Sequence, residues 1–144
     1  MRILGIDPGL ARTGWAVVDA EPGSEPRLAA SGLIETPSTD PLQDRLVSIH
    51  RLLSGILAEH RPGAAAAEEL FFLKASPSVR GTLSARGVIL LACAHAGLEV
   101  YLVLRSVRPD AETVPQGNYL LDLLMGAHVT LVDVQGWQEQ IQKI

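Results

Sequence analysis

The sequence predicts a mixed α/β domain. Three observations carry that prediction. Three apolar, strand-like runs open the chain; helical and strand-like segments then alternate; and clusters of Pro and Gly punctuate them. The 144 residues suit one domain with an ordinary core, and 47% hydrophobic with 19% charged residues is a globular composition.

Residues 2–7 read as a buried strand that ends in Asp7, with Pro8-Gly9 directly after it. Residues 14–20 read as its hairpin partner. The turn cluster Glu21-Pro22-Gly23-Ser24-Glu25-Pro26 leads to a third strand at 27–35. Asp40 suits an N-cap and Pro41 a first helical position. Leu42, Leu46, Ile49, Leu53, Ile56 and Leu57 recur at helical spacing to about Glu59, and Arg61-Pro62-Gly63 stops that helix.

The alanine run 64–67 is ambiguous by composition alone. Between two helices it reads as a parallel strand ending at Glu68-Glu69. Ser76-Pro77 starts a long helix to about Ala96, with Gly97 as its C-cap. Then follow a strand at 99–105, a polar loop at 108–116, a short helix at 118–125, a strand at 128–134 and a final helix at 136–144. Parallel crossovers should be right-handed, and ligands of such sheets meet the carboxyl ends of strands.

The bulk numbers exclude several classes. A net charge of -4 does not favour nucleic acid globally, because such binding rests on phosphate neutralisation. The single cysteine, Cys93, rules out a disulfide within the chain and reads as a small buried hydrophobe. No apolar run reaches the roughly 18 residues of a membrane span. Met1-Arg2-Ile3 enters a strand at once with no signal-peptide layout, so a cytoplasmic setting is expected.

Asp7 and Glu68 both fall at strand carboxyl ends. Placed side by side, two carboxylates repel unless a cation lies between them. Mg²⁺ or Mn²⁺ prefers such oxygen ligands, and a two-metal site activates water and stabilises the leaving oxygen of a phosphodiester. The pair would supply half of such a site. The plainer alternative is a turn-capping Asp and a solvated Glu-Glu pair.

Leu4-Gly5-Ile6-Asp7-Pro8-Gly9-Leu10 with Thr13-Gly14-Trp15 resembles the opening of the RuvC family of bacterial Holliday-junction resolvases. Ala30-Ser31-Gly32-Leu33-Ile34 resembles the family's third strand, and Arg45-Leu46 to His60-Arg61-Pro62 its first helix. Ala67-Glu68-Glu69-Leu70-Phe71-Phe72-Leu73-Lys74 is similar to its second catalytic strand end, and Ala85-Arg86-Gly87-Val88 to Leu98 to its central helix. The resemblance covers residues 1–99. It implies an RNase H-like mixed five-stranded sheet with flanking helices, three leading antiparallel strands and then parallel ones. It implies that Asp7 and Glu68 match the family's first two metal-binding carboxylates. Phe71 matches an aromatic used at the junction centre, and Lys74, Arg80 and Arg86 suit a DNA-facing loop and helix.

After Val100 the family's later basic loop and carboxylate-bearing helix are not recognised. Leu102-Val103-Leu104-Arg105, Gln116-Gly117-Asn118-Tyr119-Leu120-Leu121-Asp122 and Met125-Gly126-Ala127 resemble instead a fragment of pyridoxal-phosphate enzymes of the D-cysteine desulfhydrase and 1-aminocyclopropane-1-carboxylate deaminase group, over residues 97–140. That group's Schiff-base lysine has no match, so pyridoxal phosphate is not expected. Together the two resemblances imply one domain over 1–144: a RuvC-like part, 1–99, and a grafted α/β segment, 100–144. They imply an engineered chimera with no intact activity expected, a vestigial Asp7/Glu68 site and no expected cofactor.

The alternative is residual nuclease or junction-binding activity dependent on Mg²⁺ or Mn²⁺, with Asp133 as a third carboxylate or merely a strand-end turn residue. A nucleotide-binding reading, from the likeness of the first hairpin to the phosphate loop of actin-like ATPases, needs a second such hairpin that the chain lacks. The partners expected are a second copy of the chain, through a new edge strand or apolar patch, and weakly bound DNA.

Overall fold

The computed structural model describes residues 1–69, 77–106 and 128–133. Among the described residues six strands form one sheet: β1 (Arg2–Asp7), β2 (Arg12–Asp19), β3 (Arg27–Glu35), β4 (Ala64–Glu69), β5 (Glu99–Ser106) and β6 (His128–Asp133). Two helices, α1 (Leu42–His60) and α2 (Pro77–His95), connect β3 to β4 and β4 to β5. The spatial order is β3-β2-β1-β4-β5-β6. The leading hairpins are antiparallel, and β1, β4, β5 and β6 run parallel. This is the expected RNase H-like mixed sheet over β1–β5, and β6 adds a sixth strand beside β5.

The strands alternate as a half-buried sheet demands. Leu4 and Ile6 of β1 share the core with Ala65 and Ala67 of β4 and Leu102 of β5. Both helices press on this face. Ile49, Leu53 and Leu57 come from α1, and Ala85, Ile89, Ala92 and Cys93 from α2. Burying each Leu or Ile contributes about 1.5–3 kcal/mol.

Helix ends follow local chemistry, with one correction. Pro41, and not Asp40, stands at the N-cap position of α1, with an extended ψ of 146° and no side-chain cap bond. Its carbonyl accepts from the amides of Asp44 and Arg45, which leaves Asp40 one residue too far out to cap. At the other end Arg61 turns left-handed (φ 47°), and its N–H donates to the Leu57 carbonyl. After α2, Leu98 N–H reaches the Cys93 carbonyl and Gly97 N–H that of Ala94, with Gly97 at φ +73°. That is a Schellman ending, which needs glycine's left-handed freedom.

β2 starts two residues earlier than its sequence pattern suggests, at Arg12, because Thr13 and Ile34 pair across the β2–β3 ladder. The expected loop at 108–116 and helices at 118–125 and 136–144 lie outside the described residues.

Candidate metal and nucleic-acid site

The strand register builds the site. β1 and β4 pair from Ile3–Ala64 to Ile6–Ala67. The ladder ends there, and continuing its register one step brings Asp7 level with Glu68, on strands spaced about 4.8 Å apart. Alternation assigns the faces. Leu4, Ile6, Ala65 and Ala67 point into the core, so Asp7 and Glu68 share the opposite face at the carboxyl edge. Both are exposed. On the other side of β1, Asp7 pairs with Gly14 of β2. A Cβ at Gly14 would lie 3.6 Å from the Asp7 Cβ, so the absent side chain keeps that flank open.

The turn after Asp7 is tightly determined. A Cβ on Gly9 would fall 2.2 Å from the Arg12 carbonyl oxygen, which admits only glycine. The Thr13 hydroxyl donates to the Gly9 carbonyl at 2.7 Å. The Thr36 hydroxyl donates to the Leu10 carbonyl, and Thr36 N–H to that of Ala11 at 3.1 Å. Arg45 Nε donates in turn to the Thr36 hydroxyl at 2.9 Å. Sequence reading missed Thr13, Thr36 and Arg45 as a supporting set. One signal was present: Arg45 lies in the first turn of α1, where the helix dipole disfavours a cation, so it needed a partner elsewhere.

Hard carboxylate oxygens in this arrangement fit Mg²⁺ or Mn²⁺. Among the described residues no group of three or more His, Cys, Asp or Glu is placed to hold a metal ion. The backbone register sets Asp133 apart from Glu68. In register, Glu68 aligns with Val103 and Val103 with Thr130, so Asp133 lies three residues further along and two strands away. That separation is about 10 Å in each direction.

Of the expected DNA-facing residues, Phe71 and Lys74 lie outside the described residues. Arg80 is exposed on α2. Arg86 differs from expectation: it is only 9% exposed, beside core residue Ala85. Its place is in the packing of α2 and not on an open surface. Two clefts occur at the opposite edge of the sheet. One, of about 400 Å³, lies between the C-terminal ends of α1 and α2; the other, of about 660 Å³, is lined by Met1, Arg2, Asp19 and Glu59 among others. Neither touches Asp7 or Glu68, whose open edge suits a large ligand better than an enclosed small one. No described helix is long and apolar enough to cross a membrane.

The family described as crossover junction endodeoxyribonuclease RuvC matches residues 3–106. A relative of that name from Azorhizobium caulinodans is 45% identical over 100 residues, 69% of this chain and 59% of its own. One from Alkalilimnicola ehrlichii is 48% identical over 99 residues, with the same shares. The chain thus spans about three-fifths of the relatives it matches. Among solved structures, Thermus thermophilus RuvC in complex with a Holliday junction substrate superposes with a TM-score of 0.66 at 32% identity, covering 71% of this chain and 65% of that one. A yeast mitochondrial Holliday junction resolvase shares the fold at 8% identity and a TM-score of 0.50, over 91% of this chain and 52% of its own.

These matches correct the reading of the chain as an inactive chimera. Family similarity runs through the supposed seam near residue 99 to residue 106. β5, which lies beyond that seam, pairs with β4 over six consecutive residues, Ala64–Glu99 to Glu69–Leu104. Apart from β6, the residues after 106 that resembled the pyridoxal-phosphate group lie outside the described residues.

Proposed function

The chain belongs to the RuvC family, and from that premise we propose that it is a divalent-metal-dependent endonuclease module acting on four-way DNA junctions. The observation that carries this reading is the level placement of Asp7 and Glu68 on adjacent parallel strands. Among the described residues no basic partner stands between the two carboxylates, a pairing that favours a cation, and their exposed face suits a substrate as large as duplex DNA. Asp7 and Glu68 would hold Mg²⁺ or Mn²⁺, and a bound ion of this kind supplies an activated water and neutralises charge at the scissile phosphate.

The chain's own residues do the rest. The Pro8–Ala11 turn fixes where the Asp7 carboxylate stands, and Gly14 keeps its flank clear for a phosphodiester. Arg80, exposed on α2, supplies a phosphate contact. Phe71 and Lys74 follow Glu68 in the chain, and in this reading Phe71 meets the junction centre and Lys74 the DNA backbone. A junction with two scissile strands calls for two sites, so the working unit in this reading is a homodimer. With a net charge of -4, DNA affinity depends on local cations and falls steeply with salt.

The test is cleavage of a four-way junction with Mg²⁺ or Mn²⁺ at low salt. Activity in the wild type that is lost on Asp7→Asn supports the reading. Neither cleavage nor junction binding under those conditions would sink it.

A further inference from the structure

We propose that Thr36, directly after β3, and Arg45, in the first turn of α1, are positioning residues that set the Asp7 carboxylate. Three consecutive carbonyls follow Asp7-Pro8, and each is met by a threonine: Gly9 by the Thr13 hydroxyl, Leu10 by the Thr36 hydroxyl and Ala11 by the Thr36 amide. Thr36 alone serves two of them. It is 5% exposed, so its polar atoms have little recourse to water.

The hydroxyl of Thr36 works in both directions. It has one proton to give, which goes to Leu10, and it accepts from Arg45 Nε at 2.9 Å. Arg45 Nη2 also reaches the Thr36 carbonyl at 3.4 Å. A cationic donor on the acceptor side polarises the hydroxyl and strengthens the bond it donates. The charge of Arg45 is thereby delivered to the turn beside Asp7 without touching it.

The same turn is held on its other flank by α2. A Cβ on Gly81 would come within 2.7 Å of Leu10 Cδ2, so the Leu10 side chain rests where α2 has no side chain. α1 and α2 therefore both bear on one four-residue turn, α1 through hydrogen bonds and α2 through packing. A shift of either helix reaches Asp7 by that route, and catalysis depends on placement within a fraction of an ångström.

The catalytic consequence rests on the nuclease reading above; the mechanical one does not, and the test separates them. In the full chain, Thr36→Val removes the hydroxyl, Thr36→Ser restores it and Arg45→Gln removes the charge. The first readout is hydrogen exchange at the amide of position 36, which bonds to Ala11, against amides in the middle of α1. Thr36→Val and Arg45→Gln should lower protection at position 36 while the α1 amides hold, and Thr36→Ser should recover it. Unchanged protection at position 36 overturns the proposal whatever the activity, and so does an equal loss in α1.

The second readout is Mn²⁺ affinity and junction cleavage. Both should fall about 10–100-fold in Thr36→Val, the range for residues that orient metal ligands, with kcat reduced and KM for the junction little changed. Wild-type binding and cleavage in Thr36→Val overturn the positioning role. A wild type that binds no Mn²⁺ and cleaves nothing removes the nuclease reading and its catalytic corollary, while the exchange result still decides the bridge.

Discussion

Trp15 lies over Gly32 on the neighbouring strand. A Cβ added at Gly32 would come within 2.9 Å of the Trp15 ring, with further contacts at 3.0 and 3.1 Å. The two are direct partners in the β2–β3 ladder. The ring is also engaged by His60 at the end of α1, with centroids 5.7 Å apart. The glycine is therefore a socket for the indole, and the indole links an edge strand to a helix terminus.

Gly32→Ala should accordingly destabilise the fold, by about 1–3 kcal/mol as overpacking does. With Trp15→Leu already in place the same change should cost little, because alanine otherwise suits a strand better than glycine. Urea unfolding of the two single variants and the double variant measures the coupling. Additive effects would mean that the ring yields and that Gly32 is not its socket.

The candidate site should trade stability for chemistry. Like charges level on adjacent strands destabilise by about 0.2–1 kcal/mol. Asp7→Asn should raise the metal-free stability by that order while abolishing cleavage. Mg²⁺ should raise the melting temperature of the wild type and leave that of Asp7→Asn unmoved, since only a folded site with both carboxylates binds the ion. Thermal melts with and without Mg²⁺ decide this. A lower metal-free melting temperature for Asp7→Asn would show that the carboxylate stabilises the turn instead of opposing Glu68.

How much of this was legible in the sequence depends on the range of the interaction. β1, β3 and the Gly97 ending of α2 are written in local residue order and read correctly. Asp40 misled by one residue because Pro41 fits a cap position almost as well as a first helical turn. The Thr36 bonds to Leu10 and Ala11 join residues 26 and 25 apart in sequence and leave no periodic trace. β5 was the costliest ambiguity. A parallel strand flanked on both sides is written in interchangeable apolar residues. Leu102 to Arg105 therefore read as a fragment of an unrelated family, which strand pairing and the family match to residue 106 corrected.

Cys93 offers a clean probe of core opening. It is fully buried, and burial pushes its thiol up to about 11. The folded protein should react with a thiol reagent at pH 8 only as fast as the α2 region opens. An unfolded thiol ionises near about 8.5, so between there and about 11 the folded state keeps a proton that the unfolded state has lost. Stability then falls as pH rises through that window, by at most about 1.4 kcal/mol per unit. Cys93→Ala should flatten the slope in alkaline urea titrations. An unchanged slope would assign the alkaline loss to other groups.

At the other pH extreme Asp19 is a carboxyl with a lowered pKa. Arg2 grips it in a fork, Nε to Oδ1 at 2.8 Å and Nη2 to Oδ2 at 3.1 Å, and Arg27 adds a contact at 3.3 Å. The hydrogen-bonded Arg2 holds the Asp19 carboxyl below its usual range, with the charges of Arg2 and Arg27 assisting against partial desolvation. Arg2 also donates to the His60 carbonyl at 3.1 Å, so one side chain ties the start of β1, the end of β2 and the end of α1. A depressed carboxyl pKa contributes stability above its unfolded value and loses it as pH falls through the folded one. Arg2→Met should return the Asp19 titration, followed by carboxyl NMR, to the ordinary range and move acid unfolding to higher pH. Because the pair is exposed, added salt should shrink the difference between wild type and variant. A salt-independent difference would place the effect of Arg2 in its bond to His60 and not in its charge.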